Sequence, residues 1–413
     1  MKSRWEDDAA EALVATLAAR GVARDLALRV YSSRLLGQDP RLVLHGGGNT
    51  SLKTRQRDFL GEDVAVLCVK GSGADLGAIE PAGLPAVRLE PLLKLRQRAV
   101  LSDEEMVRFQ RLNLLDPGAP NPSVETLLHA FLPPAVVDHT HATAVLSLVD
   151  QPDGAALARE VFGDRLGFVP YIMPGFALAK KAAEIYDADP TVEGLVLEKH
   201  GIFTFGDDAR QSYERMIAAA SLAEARLARR RNTIFLPGPL PAQIATVADV
   251  APILRGACSL ADPTEAGAWL RLVMEFRTGP AILAYVNGAE RERYAKAGVV
   301  TPDHTIRTKN QPLIAPPPAA GALDAFAHDA RVAAQEFIAA YRAYFARHNA
   351  GRTPPKRMLD PLPRVILVPG LGLFGLGPSK KDARIDADTA ENAIAVITDA
   401  EAIGEYTCIS END

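Results

Sequence analysis

One stretch constrains the fold of this chain more than any other: Ala135-Val136-Val137-Asp138-His139-Thr140-His141-Ala142-Thr143-Ala144-Val145. Its β-branched valines favour an extended strand. Side chains alternate along a strand, so His139 and His141 share one face while Asp138 and Thr140 point the other way. Two imidazoles side by side are two of the ligands a divalent metal requires. The same pattern also describes two polar residues on a solvent-facing strand. The choice between these readings depends on whether the chain supplies a third ligand, a base and a place for an anion.

Hydrophobic spacing, caps and breakers divide the rest of the chain. Residues 5–36 read as helix with a break at Gly21. Residues 41–44 read as a strand running into His45-Gly46-Gly47-Gly48-Asn49-Thr50-Ser51, and 64–69 as a strand running into Lys70-Gly71-Ser72-Gly73. A helix over 103–113 starts at Ser102 or Asp103. Another is capped by Ser123, carries Glu125 in its first turn and stops before Pro133-Pro134. Helices are expected at 154–162 and 175–186, one strand at 194–205, and a long helix at 209–231 ending in Arg229-Arg230-Arg231. Those arginines read as a solvated helix end that complements the dipole. Pro237-Gly238-Pro239-Leu240-Pro241 reads as a stiff linker between a domain of residues 1–236 and one of 243–413. In the second domain, 281–286 and 364–368 read as strands and 322–347 and 380–400 as helices, with a glycine-rich loop after the second strand.

A chain of 413 residues exceeds one ordinary core, in keeping with two domains. A net charge of −5 offers no electrostatic reason to expect nucleic acid or an anionic membrane as partner. Cys68, Cys258 and Cys408 are too dispersed for a disulfide framework or a thiolate zinc site. The acidic start lacks an apolar signal core, and no apolar run reaches about 18 residues, so a cytoplasmic location is the default expectation.

Chemistry-bearing residues cluster in the first half. His200, ahead of Gly201 at the end of an apolar stretch, can supply a third ligand or be a packed strand-end residue. Neutral imidazoles favour zinc, with other divalent metals open. Glu125 is the candidate base, or a structural first-turn acid. His129, one helical turn on, can support Glu125 or simply pack. The loops Gly46–Asn49, Lys70–Gly73 and Pro122-Ser123 offer backbone N–H groups and, at Lys70, a charge for an anion. Gly370-Leu371-Gly372-Leu373-Phe374-Gly375 matches a dinucleotide fingerprint. The strand it would need next, Ala395–Asp399, is short, and Phe374 is bulky for a close approach to pyrophosphate, so nicotinamide binding is not expected.

Asn49-Thr50-Ser51, Gly71-Ser72-Gly73, Pro122-Ser123-Val124-Glu125, Asp138-His139-Thr140-His141 and Lys199-His200-Gly201 occur in the order and context of the class II aldolase/adducin family, which residues 1–235 resemble. His45–Ser51, together with Thr301–Lys309 and Pro369–Gly375, resembles more particularly the long rhamnulose-1-phosphate aldolase type. That type is found in bifunctional aldolase/dehydrogenase chains, whose dehydrogenase part is expected to be absent here. The resemblance implies an α/β/α sandwich around a mainly antiparallel sheet, with a second, smaller α/β domain. It implies metal, zinc first, on His139, His141 and His200, acid/base work by Glu125, and substrate phosphate held by Asn49, Ser72, Gly73 and Ser123. The implied reaction is cleavage of a phosphorylated ketose to dihydroxyacetone phosphate and a hydroxyaldehyde through a zinc-stabilised enediolate. The implied assembly is a homo-oligomer, in relatives a tetramer. A sugar-phosphate epimerase, dehydratase or decarboxylase on the same scaffold stays open, as does a non-enzymatic adducin-like module.

Overall fold

The computed structural model describes residues 1–229, 234–262, 264–352 and 355–413. It divides into two compact units, Met1–Arg230 and Arg231–Asp413.

The first unit opens with helices α1 (Asp7–Ala18) and α2 (Arg24–Gly37), separated at Gly21. The expected strand at 41–44 is absent: Leu42 and Val43 N–H both donate to Asp39 O in a buried turn. The strand begins later, as β1 (Asn49–Arg57), and a tight turn leads to β2 (Asp63–Val69) and β3 (Ala86–Arg88). Helix α3 (Leu89–Lys94) precedes α4 (Asp103–Leu112), whose Ser102–Glu105 capping box satisfies its first donors. Then come α5 (Thr126–Phe131), β4 (Val136–Thr140), α6 (Thr143–Val149) and α7 (Gly154–Phe162). They are followed by β5 (Leu166–Val169), α8 (Phe176–Ala188), β6 (Gly194–Leu197), β7 (Gly201–Gly206) and α9 (Ala209–Leu227). The single strand expected at 194–205 is therefore an antiparallel hairpin, turned by Glu198-Lys199-His200 with Lys199 at φ 52°. The basic helix end falls on Arg230 and Arg231, which lie outside the described residues.

Seven strands form one sheet in the order β3-β2-β1-β4-β7-β6-β5, antiparallel except for β5 with β6. Helices α2 and α9 cover one face of it, and α3, α5 and α8 pack with the apolar core on the other. Period-two alternation sorts β4 as expected. Val137 and His139 face the apolar core, where His139 stacks on Phe203. On the opposite face, Asp138 pairs with the fully buried Arg29 of α2 at 2.5 Å and accepts from Ser212 of α9 at 2.6 Å.

The second unit contains α10 (Val247–Ala257), the short hairpin β8 (Ser259–Ala261) and β9 (Trp269–Arg271), and β10 (Val273–Arg277). It continues with α11 (Pro280–Val286), α12 (Arg291–Ala295), α13 (Pro302–Thr308) and β11 (Leu313–Ile314). Last come α14 (Leu323–Asn349), β12 (Val365–Val368), β13 (Gly372–Gly377) and α15 (Lys380–Ile403). Four strands form a sheet in the order β10-β13-β12-β11. Three expectations change here. Residues 281–286 are helical, started by Pro280 at a first-turn position, which suits its fixed φ. The expected glycine-rich loop is largely a strand, β13, paired on both sides. The imagined strand at Ala395–Asp399 lies inside α15. Among the described residues, no helix is long and apolar enough to cross a membrane.

Candidate active site

The site is built on the centre of the larger sheet. β4 delivers His139, and the residue just past its end, His141, turns to the same side. The turn of the β6–β7 hairpin brings in His200, which stands beside β4 because β7 pairs with it. One ligand nitrogen from each of the three histidines can be chosen so that all lie within 4.8 Å of one another. Gly201 makes this possible. At φ +156°, a Cβ there would meet Thr140 O at 2.5 Å, His141 Cδ2 at 3.1 Å and His139 Cε1 at 3.2 Å.

The ring chemistry of this cluster suits a metal. His139 Nδ1 lies 3.1 Å from Ile202 O, and a carbonyl only accepts, so Nδ1 carries the proton and Nε2 keeps its lone pair. That Nε2 lies 3.1 Å from His141 Nε2. Burial pushes the His139 imidazole down to about 3, and burial together with the nearby His139 and Lys70 pushes His141 well below its ordinary value. Both rings are therefore neutral donors at neutral pH.

Glu125 is placed differently from the sequence expectation. It occupies the N-cap position of α5, not the first turn. Ser123 caps a preceding turn: its Oγ accepts from Glu125 N–H at 3.3 Å and its carbonyl from Thr126 N–H at 3.0 Å. That turn swings the carboxylate inward. Glu125 Oε2 sits 3.3 Å from His139 Nε2, and Oε1 sits 3.3 Å from His200 Nε2.

The remaining predicted residues divide into two groups. Asn49 is buried beside Glu125, and its Nδ2 donates to Glu125 Oε2 at 2.6 Å and to Ser123 Oγ at 3.2 Å. Its Oδ1 bonds His129 Nε2. Ser72 and Gly73 are exposed, in a loop zipped to the Ser123 segment through Ser72 N–H to Asn121 O at 2.7 Å and Ser123 N–H to Lys70 O at 3.0 Å. Lys70 reaches back to the third loop, donating to Gly46 O at 2.5 Å. The three small-residue loops thus do meet, with the lysine stitching them together.

Sequence reasoning missed Ser51 and Lys53. With Asn49 they occupy alternate positions on β1, and all three bond His129: Ser51 through Nδ1 at 2.7 Å, Lys53 through the backbone carbonyl at 2.8 Å. The period-two run of polar residues at 49, 51 and 53 was the available signal, hidden by the strand expected upstream.

The sequence matches the class II aldolase and adducin N-terminal domain over residues 28–227 and the second domain of class II aldolases over residues 245–413. A curated relative from Bacillus subtilis (strain 168), the uncharacterized oxidoreductase YuxG, is 33% identical over 392 residues, covering 93% of this chain and 55% of the relative. The chain thus spans about half the length of that relative. Among solved structures, the N-terminal class II aldolase domain of a conserved protein from Thermoplasma acidophilum is 38% identical. The match covers 55% of this chain and 99% of that one, with a TM-score of 0.49. The l-fuculose-1-phosphate aldolase from Thermus thermophilus is 17% identical, over 49% of this chain and 95% of that one, with a TM-score of 0.32.

Proposed function

The chain belongs to the class II aldolase and adducin family, and on that premise we propose that it is a metal-dependent lyase. Its substrate would be a phosphorylated ketose resembling rhamnulose 1-phosphate, cleaved to dihydroxyacetone phosphate and a hydroxyaldehyde. The observation that carries the reading is a carboxylate seated within 3.3 Å of two of three clustered imidazoles. His139, His141 and His200 would hold a divalent ion, zinc by donor type, that polarises a substrate carbonyl and stabilises the negative charge left by C–C cleavage.

The chain's own residues supply the rest. Breaking the bond leaves its electron pair on the ketone fragment, which takes up a proton at carbon. The proton lost from the hydroxyl of the other fragment balances it. Glu125 is the group we assign to that transfer. Its Oε2 is engaged by the Asn49 amide, while Oε1 accepts no hydrogen bond among the described residues and is the atom that holds the proton. Phe203, stacked on His139 at 4.1 Å between ring centroids, keeps water from that side. The zipped loops carrying Ser72, Gly73 and Ser123 are the proposed seat of the substrate phosphate. A cytoplasmic homo-oligomer belongs to the same proposal.

The test is a screen of ketose 1-phosphates with zinc, scoring release of dihydroxyacetone phosphate. Stoichiometric zinc and turnover are expected, with Glu125→Gln keeping the metal and losing about a thousandfold in kcat. Purified protein that binds no divalent metal, or zinc-loaded protein that cleaves none of the panel, would sink the reading.

A further inference from the structure

We propose that the second unit carries a small-molecule site of its own, a cavity between α13, β12 and α15 that takes a neutral deoxy sugar with a terminal methyl group. The proposal does not rest on the lyase reading, because the cavity and the histidine cluster belong to different units.

The cavity encloses about 450 Å³, mouth included, within the range of small-molecule sites. Its two walls differ in kind. Ala390, Ala393, Ile394 and Ile397 recur at helical spacing and form one stripe of α15, where the two alanines leave room that longer side chains would fill. Val365 and Leu367, two apart on β12, continue this apolar wall. The other wall comes from one polar segment, the end of α13 and the turn after it, and includes Thr308 and Gln311.

The bonds already made on the polar wall decide what it can hold. Thr308 Oγ donates to His304 O at 3.0 Å, which spends its one proton and leaves lone pairs to accept. Gln311 Nε2 donates to Lys296 O at 2.9 Å. A carbonyl only accepts, so the amide is fixed that way round and Oε1 remains an acceptor. Lys309 lines the cavity but turns its charge elsewhere: Nζ donates to Asp360 O and stands 3.8 Å from the Tyr341 ring centroid, and neither of those residues lines the cavity. Lys309 is held at φ 61°, where side chains are rarely found, and strain of that kind persists only where the surroundings impose it. The charge that would draw a phosphate is therefore engaged outside the cavity, and the acceptors that remain suit hydroxyl donors. A methyl group at the other end of the same molecule packs on the alanine stripe.

The mouth is braced by the C-terminal segment. Tyr406 Oη donates to Gly298 O at 3.0 Å and Cys408 Sγ to Val299 O at 2.9 Å, and both acceptors belong to lining residues. A Cβ on Gly298, at φ +134°, would meet Cys408 Sγ at 2.5 Å, so this close approach requires glycine.

The experiment is calorimetric titration of the full chain with free L-rhamnose and L-fucose. At least one is expected to bind with a Kd of about 1 mM or tighter. Its counterpart with a terminal hydroxymethyl group, L-mannose or L-galactose, should bind about tenfold more weakly, because the added hydroxyl faces the apolar stripe. Ala393→Leu, which fills the cavity, and Thr308→Val, which removes an acceptor, should each weaken binding about tenfold or more. Should one variant fail to fold, the other decides. His139→Ala in the first unit should leave the binding unchanged. No binding of either deoxy sugar, binding unaltered by the cavity variants, loss with His139→Ala, or tighter binding of L-rhamnose 1-phosphate would each overturn the proposal. Deoxy-sugar binding by a protein that cleaves no ketose phosphate leaves the site standing while the lyase reading fails, and turnover without that binding does the opposite.

Discussion

Gly201 in the larger sheet and Gly375 in the smaller one meet the same steric demand for different ends. A Cβ on Gly201 would strike Thr140 O and crowd two imidazoles, so the missing side chain makes room for polar rings. A Cβ on Gly375 would lie 2.4 Å from Ala383 O and from Ala387 N, so there the missing side chain lets helix α15 press against β13. The sequence around Gly375 matches a nucleotide-binding fingerprint, and the sequence around Gly201 matches none of the glycine patterns. What a glycine serves is decided by the element it sits in. Gly375 lies within a strand paired on both sides, whereas the fingerprint requires a turn from strand into helix.

The largest expected effect lies behind the histidine strand. Arg29 and Asp138 are both fully buried, and removing one charge strands the other. Arg29→Met should cost about 3–5 kcal/mol by urea unfolding, whereas a loss near zero would mean the pair does not hold β4. Next, Gly375→Ala should cost about 3 kcal/mol and leave metal stoichiometry intact in the folded fraction, because it disturbs packing of α15 on β13 and none of the candidate ligands belongs to that unit. Gly201→Ala should do the reverse. It should weaken zinc binding about 100-fold, measured by competition with a chelator. Equal effects of the two alanines on metal binding would dissolve the contrast between them.

The parts of the fold that were legible in sequence are those where one local rule acts alone. The valines around His139 specify a strand, and its alternation correctly sends His139 inward and Asp138 to the other face. Ser102, one of the two starts expected for the helix at 103–113, is the N-cap of α4. The failures come where tertiary structure overrules the local signal. Residues 281–286 are apolar and β-prone but lie behind Pro280 against α15, and they become helix. Residues 194–205 read as one strand although Glu198-Lys199-His200-Gly201 interrupts their apolar runs, and that polar, glycine-ended break is where the chain reverses with Lys199 at positive φ. β1 was misplaced because its true residues are polar: Asn49, Ser51 and Lys53 point toward His129, and none of them is an apolar core residue. Within the site, the three histidines and Glu125 could be named from the sequence, whereas the occupied state of Asn49 depends on a helix-borne histidine that only the fold brings to it.

The smallest effects separate the two units by their buried lysines. Burial lowers Lys53 to about 7 and Lys309 to about 8, in the latter case against the opposing pull of Asp360. In each, the folded-state value lies below that of the unfolded chain. Between the two values the unfolded state binds more protons, so stability rises with pH. The burial penalty is complete below the folded value and gone above about 10.4. From pH 7 to pH 9, the stability of the unmodified protein should therefore gain about 2 kcal/mol on Lys53→Met but only about 1 kcal/mol on Lys309→Met. Lys309 has an alternative source of stabilisation that Lys53 lacks, because its ammonium stands 3.8 Å from the Tyr341 ring centroid. Urea midpoints for the three proteins across that range measure both slopes. A flat difference for Lys53→Met would show that the carbonyls of His129 and Pro134, each 2.8 Å from Nζ, keep the buried ammonium charged. The polar stripe of β1 would then carry a permanent positive charge against the backbone of His129.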